Sequence, residues 1–342
     1  GQVSGRIDRI SVFSGLDNRP EKTSKALNYL LVGSDTREGL TKEEMKALRV
    51  GSTKTAAGGR SDTMLLVHIS KKRDKAFLVS LPRDSLVTIP AHLSADGKTQ
   101  IPDRENKLNA AFAFGGAPLL IETIERATNL QMDHYIEVSF AGFAGIVNAL
   151  GGIEVCTKVD IDDPKSHLVL SAGTHTLDGI EALKYVRTRD FDGRGDIGRM
   201  QRQQQFMSSV IKKATSTGVL LNPIKLTNFL NAAISTVKMD ETLSKNDLLD
   251  LAKQMRGLSS GNVRTLTVPL KTANGRHPTD GSVVIWDPVL SADLWTRIRD
   301  DAALVDEVTP SPSASSTTSA KPVIVDKFKT RTAAENPCGE IK

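Results

Sequence analysis

The chain has 342 residues, enough for one large domain or two ordinary ones around a sizeable core. Aromatic residues make up only 4% of it, so Leu, Val, Ile and Ala must build most of that core. Its 45 Lys and Arg against 40 Asp and Glu leave a net +5 with both signs interspersed. That balance suits an anionic ligand or an envelope surface and does not by itself argue for nucleic acid.

Cys156 and Cys338 stand without a CxxC or a His/Cys cluster, which removes a structural zinc site. Two distant cysteines are either a disulfide, as expected outside the membrane, or two unrelated thiols, as expected in a reducing cytosol. No stretch approaches the roughly 18 apolar residues that span a bilayer. The opening "GQVSGRIDRI" has no Met and no signal-type apolar run, as in a processed form.

Residues 1–26 mix Gly, Ser and charge around Pro20 and read as a lead-in. "NYLLVG" predicts a strand ended by glycine, with "SDTREGL" as its turn-rich exit. "TKEEMKALRVGSTKTAAGGRSD" predicts a charged helical turn and then a Gly-rich loop. "TMLLVHI" and "KAFLVSLP" are two apolar runs joined by "SKKRD", which predicts strands of a sheet covered on both faces. "APLLIETIERATN" has helical spacing, and "FAGFAGIVNALGG" ends on the glycine pair of a helix C-terminus. Around the second of these, "HYIEVS" and "IEVCTKV" read as short strands. "MQRQQQFMSSVIKK" and "SKNDLLDLAKQMRGL" predict amphipathic helices, the latter capped by Ser244. "VRTLTVP" and "SVVIWDP" read as late strands, and "SADLWTRIRDD" closes the ordered region. From Val308 the composition turns to "TPSPSASSTTSAKP", a linker not expected to pack. The alternation predicts an α/β fold, a three-layer α/β/α sandwich around a central mixed sheet.

The stretch "RTRDFDGRGDIGRMQRQQQ", residues 187–205, holds five arginines and three aspartates. Its Gly193, Gly195 and Gly198 form a GxGxxG, but no apolar strand precedes it and no acid lies about twenty positions on, so it is not a dinucleotide loop. Walker, HExxH and GxSxG patterns are absent, and the six histidines show no ligand spacing. His68, alone in a strand, reads as structural. On the helix starting near Gly198, Met200, Met207, Val210 and Ile211 share a face, Gln203 lies in that stripe and Arg199 at its edge. Arg187 and Arg189 are two apart and would point the same way in extended chain. Convergent arginine forks match the oxygens of a pyrophosphate; the competing reading is an Arg/Asp ion-pair network on the surface.

Polar residues at other strand ends favour the pyrophosphate. Asp35 follows a strand in "GSDTRE", Arg60 and Asp62 precede one in "GGRSDT", and Arg83 and Asp84 follow one in "SLPRD". Two aspartates meeting in space suit Mg²⁺, a hard ion that shares oxygens with substrate phosphates.

Together "NYLLVGSDTR", "GGRSDTMLLVHI", "AFLVSLPRDSLVTIP", "KLNAAFAFGG", "VNALGGIEV" and "RTRDFDGRGDIGRMQRQQQ" resemble the LytR-CpsA-Psr family of bacterial cell-envelope proteins, over roughly residues 27–300. The resemblance implies a catalytic domain at 27–301 and a tail at 302–342. It implies an extracytoplasmic domain on a single membrane helix expected ahead of residue 1, with localisation at the cell membrane. The implied activity is phosphotransfer of a glycopolymer from a polyprenyl-pyrophosphate carrier to peptidoglycan or a surface protein, forming a phosphodiester and releasing polyprenyl phosphate. Hydrolysis of the pyrophosphate is expected when no acceptor is present.

By resemblance, Asp35 and Asp62 associate with Mg²⁺ (or Mn²⁺), although "EGLTKEEMKALRVGSTKTAAGG" is inserted between them. Arg83, Arg187, Arg189 and Arg199 bind pyrophosphate; apart from the resemblance, the carboxylate that takes the acceptor proton is left open among Asp62, Asp192 and Asp196. Gln203, Arg60, Lys107, Asn109 and Arg202 are additional substrate contacts. "RTAAENPCGEIK" resembles the ends of actinobacterial members, which implies a Cys156–Cys338 disulfide. Two other functions compete. A nucleic-acid-binding regulator is opposed by the interleaved aspartates and few aromatics. A non-catalytic module holding lipid-linked glycan would use the same arginines.

Overall fold

The computed structural model describes residues 8–36, 38–48, 61–188, 195–216, 218–311, 321–335 and 338, with backbone alone for 61–62 and 195–197. Eight strands form its main sheet: β1 (Asp8–Ile10), β2 (Leu27–Ser34), β3 (Ser61–Ile69), β4 (Ala76–Leu81), β5 (His134–Val138), β6 (Val237–Asp240), β7 (Val263–Thr267) and β8 (Arg331–Thr332). The spatial order is β1-β6-β5-β2-β3-β4-β7-β8. Pairs β1/β6, β5/β2 and β4/β7 are parallel and the rest antiparallel, so the sheet is mixed.

Because side chains alternate along a strand, each apolar run buries residues on both faces. Leu30, Val32, Met64, Leu66, Phe77 and Val79 meet one helical layer, α2 (Leu108–Thr128) and α8 (Pro288–Arg299). Tyr29, Leu65, Leu78 and Met239 meet the other, made by α5 (Gly195–Ser216), α6 (Pro223–Ile234) and α7 (Lys245–Gln254). This is the expected three-layer sandwich. Each fully buried Leu or Val contributes about 1.5–3 kcal/mol, so the strands are held by both layers at once.

A separate cluster gathers α1 (Lys42–Ala47), α3 (Phe140–Ala149) and α4 (Gly179–Arg187) around the hairpin of 153–157 and 173–177. The glycine pair ends α3 as its sequence predicts. Gly151 (φ 79) donates to the Asn148 carbonyl and Gly152 (φ 93) to the Val147 carbonyl, each at 3.0 Å. Inside α2, Gly116 (φ 64, ψ −154) interrupts the helix just before Pro118, which lacks the amide a helix interior needs.

Both ends of the chain pack on this frame. The lead-in supplies β1, and Val12 is buried in the main core. In the tail, Phe328 enters that core, Arg331–Thr332 add the edge strand β8, and Ala333 is fully buried. Cys338 is disulfide-bonded to Cys156, with Cα atoms 5.6 Å apart. Among the described residues no helix is long and apolar enough to cross a membrane.

Candidate active site

The sheet pairing sends the C-terminal ends of β2, β4, β5 and β7, and the N-terminal end of β3, to one edge. Asp35, half-buried, stands one residue past β2. Asp62 sits across from it on β3: Gly33 pairs with Thr63 and Ser34 with Ser61, which leaves Asp62 as the extra residue of a β-bulge. Its side chain, like Arg60 and Arg189 as whole residues, lies outside the described residues. Among the described residues no three or more His, Cys, Asp or Glu gather as a metal cage.

Arg83 leaves the end of β4 in a turn pinned from several sides. The Leu108 and Asn109 amides donate to the Ser85 and Arg83 carbonyls (2.8 and 2.9 Å), and the Trp286 indole donates to Ser85 Oγ (2.8 Å). The Asn109 amide thereby holds the turn that carries Arg83. Asp84, the other strand-end polar residue of "SLPRD", lies between two cations, 4.0 Å from Arg83 Nε and 3.9 Å from Lys107 Nζ. All three side chains are partly exposed, so such pairs add little stability.

Arg187 belongs to the last turn of α4, so it is helical rather than extended as the two-residue spacing suggested. Its guanidinium lies over the Phe140 ring at 4.8 Å and donates to the Leu48 carbonyl (3.3 Å). Phe140 opens α3 directly after β5, which brings Arg187 to the same edge as Asp35 and Arg83.

The first turns of α5 add Arg199 and Arg202, 5% and 6% exposed. Burying a guanidinium is costly without acceptors; Arg202 donates to the Thr188 carbonyl and Gln203 to that of Val186 (3.4 Å). Both therefore close the C-terminus of α4, where cations are favoured by the helix dipole. Gln204 donates to Ser80 Oγ (3.0 Å) and Thr267 Oγ1 (2.8 Å), fixing α5 across the ends of β4 and β7. Tyr185, whose hydroxyl bonds Gln205 (3.2 Å), is pushed up to about 12 by burial against a smaller opposing pull from Arg202, so it stays protonated.

One edge thus collects Arg83, Lys107, Arg187, Arg199 and Arg202 against Asp35 and Asp84, from segments far apart in sequence. Over residues 6–287 the sequence matches the LytR_cpsA_psr family. The chain belongs to that family. A relative within it, the probable cell wall biosynthesis protein LcpB of Corynebacterium glutamicum, is 38% identical over 272 residues, covering 80% of this chain and 61% of LcpB. The chain therefore spans less than two thirds of that relative's length. The polyisoprenyl-teichoic acid–peptidoglycan teichoic acid transferase TagU of Bacillus cereus is 32% identical over 299 residues, 87% of this chain and 86% of TagU. Among solved family structures, TagV of B. subtilis superimposes with a TM-score of 0.63 at 25% identity, over 82% of this chain and 99% of TagV.

Proposed function

We propose that this chain is a glycopolymer phosphotransferase: it takes a glycan from a polyprenyl-pyrophosphate carrier, joins it to a cell-wall acceptor as a phosphodiester, and releases polyprenyl phosphate. The observation that carries the reading is the convergence of Arg83, Arg187 and the buried Arg199 and Arg202 at the edge where Asp35 ends β2. Arginine forks match phosphate oxygens, and several of them suit two linked phosphates better than one carboxylate. The TagU name, a polyisoprenyl-teichoic acid–peptidoglycan transferase, supports the same donor and acceptor classes.

In this reading the acceptor hydroxyl oxygen attacks the phosphorus that bears the sugar. The bridging P–O bond breaks with its electron pair leaving on polyprenyl phosphate, and the acceptor proton passes to a carboxylate among Asp62, Asp192 and Asp196. Arg83, Arg187, Arg189 and Arg199 neutralise the charge that grows on the leaving phosphate. Lys107, Arg60, Arg202, Gln203 and Asn109 are further substrate contacts.

Asp35 and Asp62, on adjacent strands, offer two hard oxygen donors, a set that fits Mg²⁺ or Mn²⁺ completed by water and substrate phosphates. Such an ion would supply further charge neutralisation. Water in place of the acceptor gives pyrophosphate hydrolysis. The disulfide and the family relatives support an extracytoplasmic domain at the cell membrane.

The test is release of polyprenyl phosphate from a labelled polyprenyl-pyrophosphate glycan. Release by the wild type and a loss of about 10²–10³-fold in Arg83→Ala are expected. Undiminished release in the variant counts against the mechanism.

A further inference from the structure

The helix that supplies the arginine wall has a second face. Arg202 and Phe206 turn toward α4, whereas Gln201, Gln204, Ser208, Lys212 and Thr215 recur at helical spacing along a cleft of about 1380 Å³. Its other walls are the 153–157/173–177 hairpin, the end of β7 and tail residues 327–335. That volume exceeds the roughly 300–1,000 Å³ of small-molecule pockets. From Met200 to Ser216 the helix runs about 24 Å at 1.5 Å per residue, so the cleft is a trough fit for a polymer. One end of it, at Met200, Gln201 and Gln204, adjoins Arg199, Arg202 and Gln203.

The lining indicates the polymer's chemistry. Ser, Thr and Gln are its commonest polar side chains, set among apolar ones, and Lys212, Lys213, Lys327, Lys329 and Arg331 outnumber Glu154 and Glu335. Hydroxyls and amides match sugar hydroxyls, and the cations match carboxylates or phosphates on the same chain. Phe328 is the aromatic among the described lining residues, but it is buried in the core, so the trough offers no stacking platform for bases. The tail that closes the trough is fixed by Phe328, by the pairing of Arg331 with Thr265, and by the Cys338–Cys156 bond.

We propose that this trough holds the acceptor as an anionic sugar polymer and leads one of its hydroxyls to the phosphate site. The proposal rests on the transferase reading above. A donor is already anchored through its pyrophosphate, whereas an acceptor without one must be held along its sugar chain to bring its hydroxyl within reach.

The experiment measures binding of soluble, uncrosslinked peptidoglycan strands to the whole chain by fluorescence anisotropy, with no donor present. Saturable binding is expected, weakened about tenfold by Lys212→Glu, equivalent to about 1.4 kcal/mol. The same charge change at exposed Lys225 on α6, off the trough, leaves it unaltered. Melting curves show that both variants are folded. Ser208→Trp, which fills the trough, gives the same loss without changing charge. Equal loss in Lys225→Glu, no loss in Lys212→Glu and Ser208→Trp, or equal affinity for neutral chitohexaose overturns the proposal. So does Lys212-dependent binding of poly(glycerol phosphate) in place of the strands, because the trough would then hold a donor polymer. Wild type that binds strands but releases no polyprenyl phosphate sinks the transferase reading alone; wild type that releases it but binds no strands sinks the trough alone.

Discussion

The guanidinium of Arg187 rests on the ring of Phe140, 4.8 Å from its centroid, and this contact joins the end of α4 to the beginning of α3. A cation over a ring gains about 0.5–2 kcal/mol depending on desolvation. Phe140→Leu keeps an apolar residue in the cluster but removes the platform. The expected outcome is a drop in kcat/KM for polyprenyl phosphate release of about 2- to 30-fold, up to the full worth of the contact. Arg187→Lys retains charge but loses the planar fork and should fall further than Phe140→Leu. If Phe140→Leu melts normally and turns over at the wild-type rate, the stacked position is not the working one.

Gln204 ties helix to sheet through two hydroxyls, on Ser80 and Thr267. Ser80 is buried, so Gln204→Leu leaves a polar group there without its partner at a cost of about 1–3 kcal/mol. Urea unfolding should show that loss in the midpoint with an unchanged slope. Gln204→Glu, which can still accept from both hydroxyls, should lose less. Equal stability of all three proteins would mean that the two bonds do not hold α5 in place.

The legible parts of the fold were those with an unambiguous local signal. "TMLLVHI" and "KAFLVSLP" became central strands because a doubly covered sheet buries runs that are mostly apolar on both faces. Two helices escaped the reading despite printed signals. Asp178 caps "GIEALKYVR" and forms a capping box with its Glu181, and Asn222 with Pro223 marks the start of α6. Missing α4 made Arg187 look extended. The linker was read by composition and the end of the tail by resemblance, which gave the disulfide, but neither reveals that Phe328 and Ala333 would find buried seats far away in sequence. At the site, Arg83 and Asp35 were visible as strand-end polar residues. The pairing of Asp84 with Lys107, the role of Gln204 and the docking of Arg202 on Thr188 were not, because each depends on a partner that only the tertiary fold brings near.

At the opposite edge of the sheet, Asp240 is fully buried, and burial alone would raise its pKa. Bonds from His134 (3.1 Å), the Thr242 hydroxyl (2.5 Å) and the Tyr135 and Thr242 amides (3.0 and 2.8 Å) outweigh that and hold it below the usual carboxylate range. A carboxyl depressed in the folded state contributes stability in full above its unfolded pKa, about 3.9, and loses it as pH falls through the lower folded value. Asp240→Asn should therefore cost about 1.5–3 kcal/mol at neutral pH and flatten the acid limb of the stability profile below about pH 4. Denaturant melts from pH 3 to 7 measure both. An acid limb as steep as that of the wild type would assign the pH dependence to other carboxylates.

The Cys156–Cys338 bond closes 182 residues of chain. Cross-linking so long a loop restricts the unfolded ensemble by about 5 kcal/mol on chain-entropy grounds, while typical disulfides yield about 2–4 kcal/mol. Cys338→Ser should lower the melting temperature by a few degrees, as should reduction of the wild type, and reduction should do nothing further to the variant. The loss should also be local. Cys338 anchors a tail whose β8 pairs with β7 through only Arg264–Thr332 and Thr265–Arg331, so the bond is a large share of what keeps that edge strand seated. Hydrogen exchange should rise at Thr332 and Ala333 in the variant while Leu66 and Val79, in the middle of the sheet, stay protected. Uniform acceleration across β3 and β4 would show instead that the bond supports the whole domain rather than its edge.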